Sequence, residues 1–347
     1  MKGLFYNEIG KLEIKETSIP EIEKPTDAIV EITYASICTS DIHILKGKVP
    51  RAKKGVILGH EGVGIVHKIG DEIKKFKVGD HVSINCISFC GECYFCKKGF
   101  INNCKKGGWE LGCRINGTLA KYVRIPFAEY SLNLIPNIKD KDYLFVGDAL
   151  SSGYFGINLG NVQPGEIVGV IGCGPVGLCT LICGKMKGAK LIAFDINDNC
   201  LNFAKKYNLA DYYFNPKNFD SYEKMIEELS KIWGEQGGCD CTVEVAGSED
   251  SFQMAWKITR PNGIVAIVAM YEQNQEFPLP LMYGKNLTFK TGGVDAIYCD
   301  YLINLINENK ISTNNLITHE FSFDDIIKAF KIFKEKPEHC VKIAIKI

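Results

Sequence analysis

One segment, residues 166–195, constrains the fold of this chain more than any other. It reads EIVGVIGCGPVGLCTLICGKMKGAKLIAFD, in which a buried strand, a glycine turn, an apolar helix and a second strand ending in Asp195 follow in order. Gly172, Gly174 and Gly177 form the pattern G-x-G-x-x-G. These glycines let a pyrophosphate approach the helix N-terminus, where free N–H groups favour negative charge. The segment therefore predicts a strand–helix–strand unit that binds a dinucleotide.

Asp195 indicates which dinucleotide is bound. It stands eighteen residues after Gly177, where a carboxylate can bind both ribose hydroxyls of the cofactor and would repel a 2′-phosphate. No arginine occurs in the INDNC that follows. The sequence therefore favours NAD over NADP, with a helix N-cap or a turn residue as the alternative role for Asp195.

Strand and helix patterns continue to alternate after this motif. We predict them at 210–215 (strand), 221–233 (helix), 239–247 (strand), 251–258 (helix), 263–270 (strand) and 287–293 (strand). Such alternation predicts an α/β fold with a doubly wound parallel sheet covered by helices. The first 150 residues carry short alternating strands with many Gly and Pro residues and indicate a β-rich domain. The tail predicts a helix at 324–336 and a final strand.

The fifteen cysteines indicate a reducing compartment. An odd count in a long chain argues against a disulfide framework, and the start, MKGLFYNEIGKLEIKE, lacks the apolar segment of a signal peptide. We therefore expect a cytoplasmic protein. Lys+Arg and Asp+Glu number 41 each, and this zero net charge disfavours nucleic-acid binding and anchoring to an anionic membrane. No apolar run approaches the roughly 18 residues of a membrane helix.

Four cysteines in one short segment predict a structural metal site. Cys90, Cys93, Cys96 and Cys104 read C-x2-C-x2-C-x7-C, a spacing at which four thiolates can surround one tetrahedral Zn²⁺. A closed four-sulfur site leaves no coordination position for substrate, so this motif does not locate the chemistry. Four free thiols or an iron–sulfur cluster are the alternatives.

Cys38, His60 and Glu61 are candidate ligands of a second, catalytic zinc. Cys38 opens CTSDIH after a predicted strand at 27–37, and the other two lie in GHEGVG. A thiolate, an imidazole and a carboxylate from separate segments make a zinc site with a position left open. Each residue alone is more typical of a protein core. The glycines around His60, however, have no side chain and allow the backbone to come close to a metal ion.

Taken together, the strings CTSDIH, GHEGVG, GCGPVG, the four-cysteine segment and the closing KPEHCVKIAIKI resemble the zinc-containing medium-chain dehydrogenase/reductase family along the whole chain. Within it, GGWELGCRINGTLAKYVRIP, GDALSSG and TGGVDA are similar to the microbial secondary alcohol (isopropanol-type) dehydrogenase branch. The resemblance implies a GroES-like catalytic domain at 1–150 with a zinc lobe at 86–113. It further implies a Rossmann domain at 151–293 and a segment, 294–347, that returns to the first domain.

The resemblance also implies roles for single residues. Cys38, His60 and Asp148 would hold the active-site zinc, Glu61 would be an exchangeable ligand, and Asp41 would accept the free ring N–H of His60. Many relatives have a cysteine where Asp148 stands, whereas the secondary alcohol branch has an aspartate. The other implied residues are Ser40 and His43 in proton transfer, Trp109 in the substrate pocket, and Thr39, Ser152, Gly172, Gly174, Pro175, Val176, Gly177, Asp195 and Lys342 in cofactor binding.

For some of these residues two interpretations stay open. Trp109 either lines the substrate pocket or packs the metal lobe. Lys342 either meets the cofactor pyrophosphate or is a solvated strand lysine. His43 either ends a proton relay or is an ordinary surface or core histidine.

The resemblance implies a zinc-dependent alcohol dehydrogenase that moves hydride reversibly between NAD(H) and a small secondary alcohol or ketone. Zinc would act as a Lewis acid that lowers the pKa of the alcohol. A polyol, diol or threonine-type dehydrogenase is the alternative, and a non-catalytic relative a remote one. Well-known branch members lack the four-cysteine lobe, use NADP and have a small residue at the position of Asp195, so this chain departs from them. We expect a homo-oligomer, a tetramer rather than a dimer.

Overall fold

The computed structural model describes residues 1–136, 140–335 and 340–347. The chain forms two compact units. Unit 1 comprises Met1–Ser151 together with Asp295–Ile347, and unit 2 comprises Ser152–Val294. The first four residues of the closing string KPEHCVKIAIKI, 336–339, lie outside the described residues.

The described residues form sixteen strands. In chain order they are β1 Lys2–Glu8, β2 Lys11–Glu16, β3 Ala28–Ser36, β4 Val56–Ile57, β5 Glu61–Ile69, β6 His81–Ile84, β7 Tyr122–Ile125, β8 Leu132–Leu134, β9 Ile167–Ile171, β10 Lys190–Phe194, β11 Tyr212–Phe214, β12 Cys239–Glu244, β13 Thr259–Ile267, β14 Thr288–Thr291, β15 Ile317–Ser322 and β16 Lys342–Lys346.

Eleven α-helices are found in the same part of the chain. They are α1 Thr39–Leu45, α2 Tyr94–Lys97, α3 Ala128–Ser131, α4 Ser151–Leu159, α5 Pro175–Met186, α6 Asp198–Lys206, α7 Tyr222–Trp233, α8 Glu249–Ile258, α9 Leu279–Met282, α10 Cys299–Asn307 and α11 Ile326–Glu335. One π-helical turn, Val146–Leu150, precedes α4.

Unit 2 is the predicted doubly wound parallel sheet. Its strand order is β11-β10-β9-β12-β13-β14, and every neighbouring pair is parallel. All five residues of β9 are buried, as expected for a central strand covered on both faces. Helices α5 and α8 pack against these strands, and one buried cluster includes Phe194, Trp233, Phe252 and Trp256. The order of the strands reverses between β9 and β12. Sheets of this type bind ligands at this point, beside the carboxyl ends of their strands.

Unit 1 consists mainly of antiparallel strands. One sheet has the order β15-β16-β3-β5-β6-β8, with β7 also paired to β3, and a smaller sheet has the order β2-β1-β4. The tail strand β16 pairs with β3, with Ala344 opposite Ser36. This pairing places the C-terminal segment beside the strand that leads into Cys38. Helix α1 and the π-helical turn were not predicted from the sequence, because seven and five residues are too short for a clear helical period.

Candidate metal and dinucleotide sites

The glycine turn between β9 and α5 has the shape of a diphosphate cradle. An added Cβ at Gly177 would lie 1.8 Å from the carbonyl oxygen of Gly172, so only glycine lets the helix pack this closely. At Gly174 an added Cβ would meet no atom within 4 Å. Gly174 is the N-cap of α5 and Pro175 and Val176 begin the helix, which leaves an open space at a helix N-terminus that suits an anion.

Asp195 follows β10 directly and lies against the same turn. Its carboxylate accepts the backbone N–H of Cys173 at 2.7 Å and that of Asn197 at 2.8 Å. Asn197 is the N-cap of α6, so the alternative of Asp195 as that cap is wrong, whereas the bond from the Asn197 N–H to Asp195 is the contact of a turn residue. The carboxylate stands between the glycine turn and the start of α6, where a ribose would follow the diphosphate.

Cys38, His60 and Asp148 come together in unit 1 as a set of three donors. Cys38 is the N-cap of α1, His60 directly precedes β5, and Asp148 lies in the π-helical turn. The Cys38 sulfur is 3.5 Å from Asp148 Oδ2, which is 3.3 Å from His60 Nε2. Donors at zinc bond lengths on the corners of a tetrahedron lie roughly 3.3–3.8 Å apart. The three side chains therefore fit a zinc ion held through Nε2 of His60.

The electrostatics of this set also suit a cation. Burial opposes a charged ring at His60, but the carboxylates of Asp148 and Asp41 raise its pKa well above the usual value. Burial would raise the pKa of Asp148, yet His60 outweighs it and lowers this pKa to about 2. The carboxylates that favour a proton on the His60 ring would equally favour a metal cation in the place of that proton.

Asp41 does not make the contact expected from the sequence. Its Oδ1 lies 3.6 Å from His60 Nδ1, which is too long for a hydrogen bond. The carboxylate instead accepts the backbone N–H of Cys38 at 2.9 Å and that of Gly59 at 3.3 Å. These two bonds tie the segments that carry two zinc donors, so Asp41 holds Cys38 and His60 near each other through the backbone.

Lys342 and Glu61 form a buried ion pair beside the three donors. The Lys342 ammonium donates to Glu61 Oε2 and to the carbonyl oxygen of Ile37, and only 1% of Lys342 is exposed. The alternative of a solvated strand lysine is therefore wrong, whereas contact with a pyrophosphate stays a prediction. Within the described part of the chain, the buried Glu61 Oε1 has no hydrogen-bond partner. Such an unpartnered oxygen is consistent with an additional, exchangeable metal ligand.

Trp109 lies against His60, one of the three candidate zinc donors. The two rings meet edge to face with centroids 5.5 Å apart, and the indole N–H donates to the carbonyl oxygen of Leu111 at 3.1 Å. The guanidinium of Arg51 lies 5.1 Å from the centroid of the indole ring. Trp109 is thus beside the candidate catalytic zinc site, and sequence reasoning missed Arg51 because no pattern relates it to Trp109.

The remaining predicted residues are placed as follows. Thr39, Ser40 and His43 are all on α1, directly after Cys38, and Ser40 Oγ is 3.7 Å from the Cys38 sulfur. The side chain of His43 is half-buried, and its role stays a prediction. Ser152 is a buried residue of α4 at the start of unit 2.

Cys86 is a further neighbour of Asp148 that the sequence did not reveal. Its backbone N–H donates to the carbonyl oxygen of Gly147 at 3.0 Å. Burial, followed by the charge of Asp148, raises the pKa of the Cys86 thiol well above its usual value. Cys86 therefore stays a neutral thiol next to the carboxylate of Asp148, a candidate zinc donor. This contact could not be predicted from the sequence because the two residues lie on segments far apart in the chain.

The four cysteines of the lobe form a second, separate set. The sulfur atoms of Cys93 and Cys96 are 3.5 Å apart, those of Cys90 and Cys104 3.6 Å, and those of Cys90 and Cys96 3.9 Å. Four thiolates around one zinc at about 2.3 Å lie about 3.8 Å from each other. Backbone N–H groups of Cys96 and Lys105 lower the pKa of Cys93 to about 6, which favours the thiolate that a metal needs.

We expect Cys93→Ser to lower stability or assembly before it affects chemistry. The closed lobe leaves no coordination position for substrate, and a structural zinc contributes to folding directly. Thermal melting and metal analysis of the variant check this, with Cys200→Ser, a cysteine outside both donor sets, as the matched control. A Cys93→Ser protein that melts like the wild type yet has no activity would contradict the division into structural and catalytic sites.

Among the described residues, no helix combines the length and apolar character needed to cross a lipid bilayer.

Comparison with known proteins relates both units to one family. The model of the alcohol dehydrogenase GroES-like domain matches residues 24–136, and that of the zinc-binding dehydrogenase matches residues 175–295. An alcohol dehydrogenase of Cupriavidus necator is 32% identical, over 100% of this chain and 98% of that protein. An NADP-dependent isopropanol dehydrogenase of Thermoanaerobacter brockii is 31% identical, over 99% of this chain and 98% of that protein.

A solved structure shows the same fold over the full length. It is described as zinc dependent alcohol dehydrogenase 2 from Streptococcus pneumonia and has a TM-score of 0.92 at 36% identity, covering 100% of this chain and 98% of that one. The predicted fold class, a GroES-like β-rich domain with a Rossmann domain, is confirmed. The chain belongs to the zinc-containing medium-chain dehydrogenase/reductase family.

Proposed function

We propose that this protein is a zinc-dependent alcohol dehydrogenase that moves hydride between NAD(H) and small secondary alcohols or ketones. One observation carries the proposal: Cys38, His60 and Asp148 form a three-donor set that leaves a zinc position open. Asp148 as the carboxylate donor supports the secondary alcohol branch, and the glycine turn with Asp195 supports a nicotinamide dinucleotide.

The candidate site residues of unit 1 have distinct roles in this proposal. Bound zinc would supply a Lewis acid that lowers the pKa of the alcohol. Cys38, His60 and Asp148 would hold that ion, and Glu61 would be the ligand that takes the place of water or substrate when either leaves. Ser40, 3.7 Å from the Cys38 sulfur, accepts the hydroxyl proton and passes it on toward solvent, with His43 as the end of the relay.

The surroundings of the metal donors bear on the substrate class. Trp109 adds a flat apolar wall beside His60, which favours a short uncharged alcohol. The guanidinium of Arg51 lies over the indole ring and would attract a carboxylate. The assay therefore includes an alcohol that carries a carboxylate. The purified protein is therefore assayed for NADH production with 2-propanol, 2-butanol, 2,3-butanediol, sorbitol, threonine and 3-hydroxybutyrate.

The proposal is supported if kcat/KM is highest for the two simple secondary alcohols. A preference for sorbitol, the diol or threonine would instead favour the polyol, diol or threonine-type alternative. No NADH production from any of these alcohols by protein that contains zinc would contradict the proposal.

We expect kcat/KM with NAD to exceed that with NADP by at least about tenfold, or about 1.4 kcal/mol. A 2′-phosphate would lie near the Asp195 carboxylate, and like charges at that range repel. Asp198 adds a second carboxylate in the first turn of α6. Initial rates with both cofactors give the ratio.

Asp195→Gly should reduce or invert that preference. Asp198→Asn is the matched control, because it removes a nearby charge without removing the ribose contact. A wild-type enzyme that prefers NADP would contradict the assignment of Asp195 and show that a cation elsewhere outweighs it.

We also propose that the protein is a homo-oligomer, with a tetramer favoured over a dimer, and that it is cytoplasmic. Strand β14 is an edge strand of the described sheet, and an exposed edge can pair with another chain. Nearby in sequence, Leu279, Leu281 and Tyr283 are exposed by 63%, 70% and 88%. Apolar side chains so exposed are typical of protein interfaces. Light scattering of the purified protein measures the number of chains.

A further inference from the structure

Two loops meet at the carboxyl edge of the unit 2 sheet, on the side of β9 opposite to Asp195. Strands β12 and β13 are parallel neighbours, with Glu244 opposite Ile267 at their carboxyl ends. In a doubly wound sheet the two halves of a dinucleotide lie on either side of the point where the strand order reverses. Because Asp195 marks the adenosine half beyond β10, the loops after β12 and β13 lie on the side of the nicotinamide half.

Glu244 ties these two loops together from a fully buried position. Its Oε1 accepts the backbone N–H groups of Ala246 and Gly247 at 2.8 and 2.9 Å, and its Oε2 accepts the hydroxyl of Tyr271 at 2.6 Å. The backbone carbonyl of the same residue accepts the N–H of Val268 at 2.9 Å. One residue at the end of β12 thus binds both its own loop and the loop that follows β13.

The loop after β12 in turn packs against the glycine turn. The backbone N–H of Val245 donates to the carbonyl oxygen of Ile171 at 3.0 Å, and an added Cβ at Gly172 would lie 3.1 Å from Ala246. The contacts therefore run without a gap from the diphosphate cradle to Tyr271. Burial and the carboxylate of Glu244 raise the pKa of Tyr271, so its hydroxyl keeps the proton that it donates.

We propose that Glu244 and Tyr271 form a brace that positions the loop 268–271 for the nicotinamide half of the cofactor. This inference rests on the proposed dinucleotide binding by unit 2. Both are positioning residues, because they act through the loop backbone. Removing the Tyr271 hydroxyl would leave a buried carboxylate oxygen of Glu244 without its donor and release the loop after β13. The glycine turn and Asp195, which receive the adenosine diphosphate half, keep their own contacts.

The test compares two ligands that differ only in the nicotinamide. Calorimetric titration of the zinc-loaded protein measures the Kd of NADH and the Kd of ADP-ribose, for the wild type and Tyr271→Phe. We expect Tyr271→Phe to weaken NADH binding at least about fivefold while the Kd of ADP-ribose changes less than twofold. Tyr213→Phe is the matched control, because the Tyr213 hydroxyl is also hydrogen-bonded, to the carbonyl oxygen of Ala210 at 2.7 Å, in the loop before β11.

A second pair of variants tests the other end of the brace. Glu244→Gln keeps an oxygen for the loop N–H groups and an amide that can donate to the Tyr271 hydroxyl, so it should retain most of the NADH affinity, whereas Glu244→Ala should lose it. Equal weakening of NADH and ADP-ribose by Tyr271→Phe would show a merely structural role and overturn the brace. Unchanged NADH binding in Tyr271→Phe would also overturn it. A wild-type protein that binds no NADH would overturn the proposed function itself, a different result from either.

Discussion

Replacing His60 by alanine, or Cys38 by serine, is expected to abolish turnover while NADH still binds. Each change removes one of the three candidate donors that the described residues bring together, and the donor atoms of all three lie within 4.8 Å of one another. A two-donor site holds zinc poorly, and Lewis-acid stabilisation by the ion lowers the barrier by several kcal/mol. Since about 1.4 kcal/mol is a tenfold change in rate, we expect kcat to fall by at least about a thousandfold. The glycine turn and Asp195, the candidate dinucleotide-binding features of unit 2, include neither residue.

Metal content and NADH binding distinguish this explanation from misfolding. We expect two zinc ions per wild-type chain and one in His60→Ala, since the four-cysteine lobe keeps its own ion. Ser40→Ala is the matched variant, because it retains all three donors: it should keep two zinc ions and lose roughly a hundredfold in kcat, the scale of a proton-transfer group. Near wild-type turnover in a His60→Ala protein with one zinc ion would place the chemistry elsewhere.

Local patterns in the sequence were sufficient to predict much of this fold. The buried run at 167–171, the glycine turn and the strand at 190–194 predict a parallel strand–helix–strand unit because each signal is complete within a few residues. The four-cysteine lobe is equally local. Its sulfur atoms are close together because the two outermost cysteines, Cys90 and Cys104, are only fourteen positions apart.

Contacts between distant segments could not be predicted in this way. Glu61 and Lys342 are separated by 281 positions, and the pairing of β16 with β3 brings the tail beside the candidate metal donors. Nothing in the sequence around Glu244 indicates Tyr271, because their contact depends on β12 and β13 being neighbours. The prediction that Asp148 lies beside Cys38 came from family resemblance for the same reason, since 110 positions separate the two residues.

Boundaries of elements also depended on tertiary contacts. The strand predicted at 263–270 is β13, which begins at Thr259, earlier than its apolar run, and passes through Pro261. The hydroxyl of Thr259 donates to the carbonyl oxygen of Ala255 at 2.7 Å, and its oxygen lies 2.7 Å from the hydroxyl oxygen of Thr242. These bonds satisfy polar groups at the start of the strand, where a pattern of hydrophobic residues carries no signal.

The buried pair of Glu61 and Lys342 leads to the second large expected effect. Burial alone would lower the pKa of Lys342, but the Glu61 carboxylate raises it, so the ammonium stays charged in a position that is 1% exposed. Lys342→Met would leave the Glu61 carboxylate without its cation. Breaking a buried ion pair from one side costs about 3–5 kcal/mol, because an uncompensated charge remains.

We therefore expect Lys342→Met to lower the melting temperature by at least about 6 °C, at roughly 2–4 °C per kcal/mol for a domain of 150–250 residues. Differential scanning calorimetry of the zinc-loaded protein measures it. Lys346→Met, an exposed lysine on the same strand, is the matched control and should change the melting temperature by less than about 2 °C.

The double variant Glu61→Gln with Lys342→Met separates loss of charge balance from loss of packing. A neutral amide beside a methionine leaves no buried charge, so the double variant should recover most of the melting temperature lost by Lys342→Met. If the double variant melts lower than the single one, lost packing dominates and the ion pair is not what stabilises this position. If Lys342→Met melts like the wild type, the pair is not buried in solution as the structure shows it. If the double variant recovers the melting temperature that Lys342→Met loses, Lys342 stabilises this position by balancing the charge of Glu61.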